Sequence, residues 1–146
     1  MAERSLHEPV MTADEVERFL RREFPQMYLD GDVFRIGSIE PERIRMILDP
    51  QERHLRPGGT VSGPTLFTLA DVSAYVAVLS HVGEVALALT TSLNINFLRR
   101  PALGLITGEA RILKLGRRLA IMDVSISDAA SELVAHATAT YSIPLR

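Results

Sequence analysis

One stretch of the chain, residues 56–81, is almost uniformly apolar after an opening turn rich in glycine and proline. It predicts about five turns of helix with Pro64 at the first helical position, where the missing N–H needs no partner. A helix that is apolar on every side is expected to be buried on every side, at the core of the fold. Asp71 lies in its middle. Because an unpaired buried carboxylate is costly, Asp71 is predicted to be either strongly hydrogen-bonded or kept there for chemistry.

The chain before this stretch predicts one helix and two strands. Thr12 and Glu15 have the spacing of a capping box, and an apolar stripe follows until Pro25, which indicates a first helix. Residues 33–36 and 44–48 are short alternating runs, typical of strands in a sheet with one wet face.

After Gly83 the hydrophobic pattern changes from the period of a helix to that of strands, with turn signals at Gly116-Arg117 and at residues 128–130. One central helix followed by consecutive strands predicts an α+β fold. In this fold an antiparallel sheet, with its last three or four strands forming a meander, wraps around the helix. The runs that predict these strands are residues 85–89, 93–97, 103–115, 119–127 and 133–143.

Length and composition add an indication of assembly. The chain has 146 residues, interpreted as a loose leader (residues 1–11) and a single domain (residues 12–146). Hydrophobic residues make up 47% of it and its mean hydropathy is +0.12. These values are high for a monomer of this size and indicate an oligomeric interface. The net charge of -2 favours neither nucleic acid nor an anionic membrane as a partner.

Several chemistries are excluded or disfavoured. Without cysteine there is no disulfide, thiolate nucleophile or thiolate metal site, and a cytoplasmic location is compatible with this composition. The acid-containing N-terminal segment does not predict a signal peptide, and no uninterrupted apolar run approaches the length of a membrane span. There is no phosphate-loop motif, and the histidines lack ligand spacing, so neither a metal nor a cofactor is predicted. The histidines are His7, His54, His81 and His136.

Three sequence segments together carry a family resemblance. Residues 56–64 read Arg-Pro-Gly-Gly-Thr-Val-Ser-Gly-Pro, with Asp71 eight positions after Gly63. Residues 93–101 read Leu-Asn-Ile-Asn-Phe-Leu-Arg-Arg-Pro, and residues 114–119 read Lys-Leu-Gly-Arg-Arg-Leu. Over roughly residues 30–143 the chain resembles the hotdog-fold acyl-CoA thioesterases, in particular their PaaI-like branch.

The match to the family motif has two departures. The family has an Asn-x-x-Gly-x-x-His-Gly-Gly turn before its central helix, then an acid on the helix. It also has a strand ending in Phe-Leu-Arg-Pro and a basic hairpin. Here Arg56 stands at the Asn position and Ser62-Gly63-Pro64 at the His-Gly-Gly positions. Gly63 and Asp71 are retained.

The resemblance implies hydrolysis of an acyl-CoA thioester to the free acid and CoA, with CoA entering only as part of the substrate. The free amide of Gly63 at the helix N-terminus is the expected oxyanion donor, with the Thr65 amide as a second candidate. Asp71 is the expected base or nucleophile. Eight helical residues rise about 12 Å, so Gly63 and Asp71 of one chain cannot reach the same carbonyl. The pair must therefore come from two chains, which predicts a homodimer or a dimer of dimers.

Other candidate residues each have a plain alternative. Ser62 is a turn residue or orients water, and Thr90 and Thr91 either help to place the attacking water or are ordinary strand residues. Asn94 and Asn96 either meet the pantetheine or reflect the polarity of a sheet edge. A basic set either binds the phosphates of CoA or consists of solvated turn charges. The basic set is Arg56, Arg99, Arg100, Lys114, Arg117 and Arg118.

Asp71 and the fold as a whole also have alternatives. Asp71 could be a structural acid, paired with an arginine or capping a backbone group. The chain could be a non-catalytic acyl-CoA-binding protein of the same fold, or a purely structural oligomer. A hotdog hydratase or dehydratase requires a histidine opposite the acid, and only His54 lies near enough in sequence to supply it.

Overall fold

The computed structural model describes residues 4–145. Two α-helices are joined to the strands by short loops and by 3-10 turns at Pro25–Tyr28 and Glu52–His54. The helices are α1 (Ala13–Glu23) and α2 (Gly63–Val82). The strands are β1 (Phe34–Glu40), β2 (Arg43–Leu48), β3 (Leu55–Arg56), β4 (Thr60–Val61), β5 (Leu89–Phe97), β6 (Ile106–Leu115), β7 (Leu119–Ser127) and β8 (Leu133–Ser142).

Six strands form one antiparallel sheet in the order β1-β2-β6-β7-β8-β5, and β3 pairs only with β4. The sheet wraps around α2, and α1 packs beside it, so the predicted α+β hotdog fold is confirmed. The meander predicted at the end of the chain is β6-β7-β8. The capping box is also confirmed: the Thr12 side chain accepts from the Glu15 amide, and the Glu15 side chain accepts from the Thr12 amide.

The predicted strand boundaries after α2 need two corrections. Residues 85–89 and 93–97 do not form separate strands, because the segment before Leu89 is a loop and β5 is continuous from there. In that loop the Val85 amide donates to the Gly83 carbonyl and the Ala88 amide to the Val85 carbonyl. Of the alternating apolar residues that predicted the strand, Val85 is buried but Leu87 and Leu89 are exposed, so the alternation does not mark a buried face. The next strand begins at Ile106, not at residue 103.

Helix α2 is buried over its second half but not over its first. Residues 72–81 are all buried, whereas Pro64, Phe67 and Thr68 are exposed. The expectation of burial on every side is therefore wrong for the first two turns. By length and composition α2 could cross a membrane, yet 72% of its most apolar window is buried inside the domain, as in the core helix of a folded protein.

The segment expected to be a loose leader is fastened to the domain within its described part. The Val10 and Met11 amides both donate to the Ser80 carbonyl oxygen, at 2.7 and 3.2 Å. Further upstream, the Arg4 guanidinium donates two hydrogen bonds to the Glu42 carboxylate, at 2.7 and 2.8 Å. The segment thus closes over the C-terminal end of α2.

Glu42 anchors this segment. It is buried and has a left-handed backbone with φ 59°, and its own amide donates to Nε2 of the buried His81 at 2.9 Å. The Arg4 side chain and the His7 amide, which lies 2.9 Å from the carboxylate, hold the pKa of Glu42 well below its usual range. Folding therefore favours the ionised form of this acid.

We expect Glu42→Gln to lower stability and to change its dependence on acid. The pKa of a glutamate in the unfolded chain is about 4.3, while native Glu42 stays ionised to lower pH. Its contribution is therefore complete above about pH 5 and lost as the pH falls further. At pH 7 the variant should lose on the order of 1–3 kcal/mol, and its melting temperature should fall less steeply between pH 5 and 3 than that of the wild type.

Thermal unfolding across this pH range measures both effects. Glu52→Gln, at an exposed acid, is the matched control and should retain the acid dependence of the wild type. Parallel acid curves for the wild type and Glu42→Gln would contradict the assignment.

Candidate active site

The N-terminus of α2 presents one free backbone amide. Ser62 is the N-cap: its Oγ accepts a hydrogen bond from the Thr65 amide at 3.4 Å and lies 2.9 Å from the Thr65 hydroxyl oxygen. Pro64 has no N–H. Within residues 4–145, no protein group accepts a hydrogen bond from the Gly63 amide. The cap thus occupies the Ser62 hydroxyl and the Thr65 amide, and Gly63 is left as the donor that points away from the helix.

This amide opens into a cleft of about 460 Å³, called the amide cleft below. The cleft brings together Gly63 with three of the predicted basic residues, Arg56, Arg99 and Arg100. The ring of Phe97 forms part of its wall, 3.4 Å from the position that a Cβ at Gly63 would take. Because this is an ordinary contact distance, the fold itself has room for a methyl group there, and the glycine leaves the amide open to a ligand.

Asp71 lies in a second cleft of about 220 Å³, called the Asp71 cleft. Its carboxylate is half-buried, and its Oδ1 accepts hydrogen bonds from the Thr90 hydroxyl at 2.5 Å and from the Tyr141 hydroxyl at 2.7 Å. The partners of the Asp71 carboxylate are therefore neutral hydroxyl groups. Within residues 4–145 it has neither the arginine nor the backbone group that a structural acid was expected to have as a partner. The cleft is lined by Glu23, Phe24, Asp71, Tyr75, Ala86, Ala88, Leu89, Thr90 and Tyr141.

A β-bulge decides which of the two predicted threonines reaches Asp71. The pairing of β5 with β8 shifts register between Thr90 and Ser92. Thr91 is therefore the extra residue, and its hydroxyl donates to the Thr140 carbonyl on the exposed side. Only Thr90 faces the helix, so a role for Thr91 beside Asp71 is not supported by its position.

Tyr141 was missed by the sequence analysis. It is separated from Asp71 by 70 positions, and pairing between β5 and β8 places it opposite Thr90. The available signal was its place in the inward-facing row of β8, where it follows Ala135, Ala137 and Ala139. A tyrosine ending a row of buried alanines indicates a hydroxyl that needs a partner inside the fold.

The predicted phosphate-binding residues fall into two groups at opposite ends of the sheet. Arg99 and Arg100 follow β5, whose last residue pairs with Ala135 of β8. The other group lies at the β6–β7 turn, near Ser142 at the far end of β8. The distance along β8 between the two ends is about 23 Å, so within one chain the prediction of a single cluster is wrong. The second group is Lys114, Arg117 and Arg118.

Asn94 and Asn96 lie on the outer face of the sheet. They alternate with Leu93 and Ile95, which pack against the core, and Asn96 pairs in register with the outward-facing His136. Both amides are thus on the face opposite α2 and away from both clefts of their own chain.

The two clefts have no lining residue in common. Gly63 and Asp71 belong to one continuous 20-residue helix, so their separation along its axis is about 12 Å, as expected from helix geometry. His54, which a hydratase would require opposite the acid, lines neither cleft, and its Nδ1 accepts from the Gln51 amide. Among residues 4–145, no three potential ligand side chains are grouped as a metal site.

With this fold and site, the chain belongs to the thioesterase superfamily, whose family model matches residues 58–135. A candidate thioesterase from Silicibacter sp. TM1040 has a crystal structure with 47% sequence identity and a TM-score of 0.85, covering 95% of this chain and 96% of that chain. Membership of this family supports a hydrolase acting on thioesters in general.

Two further relatives extend the comparison. A candidate esterase from Saccharolobus solfataricus is 29% identical over 140 residues, covering 92% of this chain and 87% of its own length. A Streptococcus mutans UA159 protein, whose crystal structure has acetyl-CoA bound, is 25% identical with a TM-score of 0.69, covering 76% of this chain and 88% of its own.

Proposed function

We propose that the protein hydrolyses an acyl-CoA thioester to a free acid and CoA, at a site formed by two chains. One observation carries this proposal: the same helix presents a free Gly63 amide in one cleft and the Asp71 carboxylate in another, too far apart to act on one carbonyl. Acetyl-CoA bound to the Streptococcus mutans relative supports CoA thioesters as the substrate class. The absence of cysteine is compatible with a cytoplasmic site of action.

The chemistry assigns one role to each cleft. The Gly63 N–H, aided by the N-terminal end of the α2 dipole, donates to the thioester carbonyl oxygen as negative charge develops on it. Asp71 of the other chain takes a proton from water while the water oxygen bonds to the carbonyl carbon, or itself attacks that carbon as the nucleophile. The C–S bond then breaks, and the CoA sulfur leaves as a thiolate that takes up a proton. Attack by water gives the free acid directly, whereas attack by Asp71 leaves the acyl group on its carboxylate as an anhydride, which a water molecule then hydrolyses to the free acid and Asp71.

The edge strand β5 supports the way in which the two chains meet. It pairs with β8 on one side, and no described strand pairs with its other side. Its ends carry the exposed residues Leu89 and Phe97, which line the Asp71 cleft and the amide cleft respectively. Antiparallel pairing of two β5 strands places the Phe97 end of one beside the Leu89 end of the other. Each amide cleft would then adjoin the Asp71 cleft of the partner.

The same pairing would bring the two basic groups, each from a different chain, toward one another. Arg99 and Arg100 would lie beside the partner's Leu89 end. The partner's β6–β7 turn is two strands from that end and three strands, or about 15 Å, from the strand that carries the two arginines. Arg117 and Arg118 of that turn could then share the phosphates of CoA with Arg56, Arg99 and Arg100. A dimer is therefore the smallest complete unit, and a dimer of dimers is compatible with it.

One observation favours a binding function without turnover as a second candidate. Pro64 lacks an amide and the Thr65 amide serves the helix cap, so only the Gly63 amide remains for the oxyanion. A single donor suffices to orient a carbonyl but gives a weaker oxyanion site. Tight acyl-CoA binding without release of a thiol would identify this function.

We expect Asp71→Asn to reduce kcat/KM by at least about 100-fold, because the amide is neither a base nor a nucleophile. Thiol release from a panel of acyl-CoA esters, followed with a thiol reagent, measures this, and gel filtration should show an unchanged oligomer. Asp49→Asn, at an exposed acid outside both clefts, is the matched control. Full activity of Asp71→Asn would remove Asp71 from the mechanism.

We expect Gly63→Pro to lose about 100-fold or more in kcat, because it removes the N–H that serves the oxyanion. The backbone can accept a proline at this position. Gly63 is the first residue of the helix, and Ser62 before it already has the extended conformation that a following proline requires, with φ -74° and ψ 156°. Gly63→Ala has similar bulk at Cβ but retains the N–H, so it separates the two effects. Equal losses in both variants would indicate bulk and not the hydrogen bond.

Co-expression of Asp71→Asn with Gly63→Pro tests whether the site is shared. A mixed dimer has one site with an intact Gly63 and an intact Asp71 from different chains, and one site with both defects. Random pairing should therefore restore about a quarter of the wild-type activity, since half of the dimers are mixed and half of their sites are intact. Differently tagged chains allow the mixed dimer to be purified and assayed. If each chain carried a whole site, no activity would return.

A further inference from the structure

Two hydroxyl groups bind the same oxygen of Asp71. The Tyr141 hydroxyl lies 2.7 Å from Oδ1 and the Thr90 hydroxyl 2.5 Å from it. No group within residues 4–145 donates to Oδ2. Because Oδ1 accepts two hydrogen bonds and Oδ2 accepts none from these residues, the two hydroxyl groups restrict rotation of the carboxylate and leave Oδ2 available for chemistry.

The Tyr141 hydroxyl is held in place by packing. The side chain is 3% exposed, and its ring stacks on Tyr75 with centroids 6.0 Å apart and planes at 14°. Tyr75 is itself fixed, because its hydroxyl donates to the Ala86 carbonyl at 3.1 Å and its ring meets Phe24 edge-on. The Tyr141 hydroxyl also lies 3.0 Å from the Asp71 backbone carbonyl, on the same turn of α2.

The Tyr141 hydroxyl stays protonated and can therefore always donate a hydrogen bond to Asp71. Burial, and then the negative charge of Asp71, raise the pKa of Tyr141 well above its usual value. The phenol therefore keeps its proton throughout the pH range in which an enzyme works. It offers Asp71 a hydrogen bond without competing for the proton that the carboxylate is to accept.

We propose that Tyr141 is a positioning residue: with Thr90, it holds Oδ1 of Asp71 so that Oδ2 is the oxygen that faces the substrate of the partner chain. This inference rests on the proposed function for its effect on rate, but the orientation of the carboxylate can be tested without it. The residue does not touch the reacting atoms and acts only through Asp71.

The kinetic test compares Tyr141→Phe with the wild type in the same thiol-release assay. Loss of one hydrogen bond to a charged group should lower kcat by roughly 10- to 100-fold, with KM changed by no more than about threefold. Thr90→Val should behave similarly, and Thr90→Ser should recover most of that loss because it restores a hydroxyl. Tyr28→Phe removes a tyrosine hydroxyl outside both clefts and is the matched control.

A double variant separates positioning from a general structural defect. In an Asp71→Asn background, Tyr141→Phe should cause little further loss of the residual rate, because the two residues act as a unit. A full additional loss in that background, or a wild-type kcat for Tyr141→Phe alone, would overturn the proposal.

Crystal structures of the wild type and Tyr141→Phe provide a readout that does not depend on activity. The Asp71 carboxylate should have one orientation in the wild type and should rotate or occupy several orientations in the variant. An unchanged single orientation would overturn the positioning role whether or not the protein hydrolyses acyl-CoA. Absence of thiol release by the wild type, together with a reoriented carboxylate in the variant, would refute the proposed function and leave the positioning role supported.

Discussion

A single unbroken helix sets the distance on which the site depends. Gly63 and Asp71 belong to the same 20-residue helix, so the backbone holds the free amide and the carboxylate about 12 Å apart. Burial of residues 72–81 inside the sheet fixes the second half of this helix. The first half has exposed apolar residues, among them Phe67. The part of the helix that carries the amide is thus also the part that a second chain would cover in the proposed dimer.

The local sequence at the start of α2 determines how many donors the site can use. Ser62 ends the preceding loop in an extended conformation and caps the helix through the Thr65 amide, while Pro64 begins the helix without an amide. Both choices stabilise the helix start. Together they leave Gly63 as the one amide available to a ligand. The residues that stabilise the helix start therefore also limit the number of free donors, and in the proposed mechanism a substrate carbonyl would have one defined position.

Patterns along the chain predicted the fold well because each main element has one dominant hydrophobic pattern, which is a continuous apolar run in α2 and alternation in the strands of the meander. The apolar run of α2, the capping box of α1 and the alternation of β6, β7 and β8 all correspond to elements of the structure. Contacts between segments that are distant in sequence could not be predicted from these local patterns. A one-residue bulge selects Thr90 over Thr91, and pairing of β5 with β8 brings Tyr141 to Asp71. Neither follows from local periodicity.

The same limit explains why the sequence predicted neither the separation of the two basic groups nor the attachment of the leader to the domain. Runs of positive charge mark turns but do not reveal which strands are neighbours, and β5 lies at the sheet edge beside β8, far from β6. The fastening of the leader depends on Glu42, an acid in a turn with a left-handed backbone, whose partners lie more than thirty positions away.

Glu42 is another poorly exposed acid, and comparison with it supports a chemical role for Asp71. Both oxygens of Glu42 are bound, by the Arg4 guanidinium and by the His7 amide, and these donors hold its pKa low. Such a carboxylate is neutralised and has no oxygen left for a substrate. Asp71 lines a cleft, its donors are two neutral hydroxyl groups on Oδ1, and no group within residues 4–145 donates to Oδ2. Its charge is oriented but not cancelled, which a base or a nucleophile requires and a purely structural acid does not.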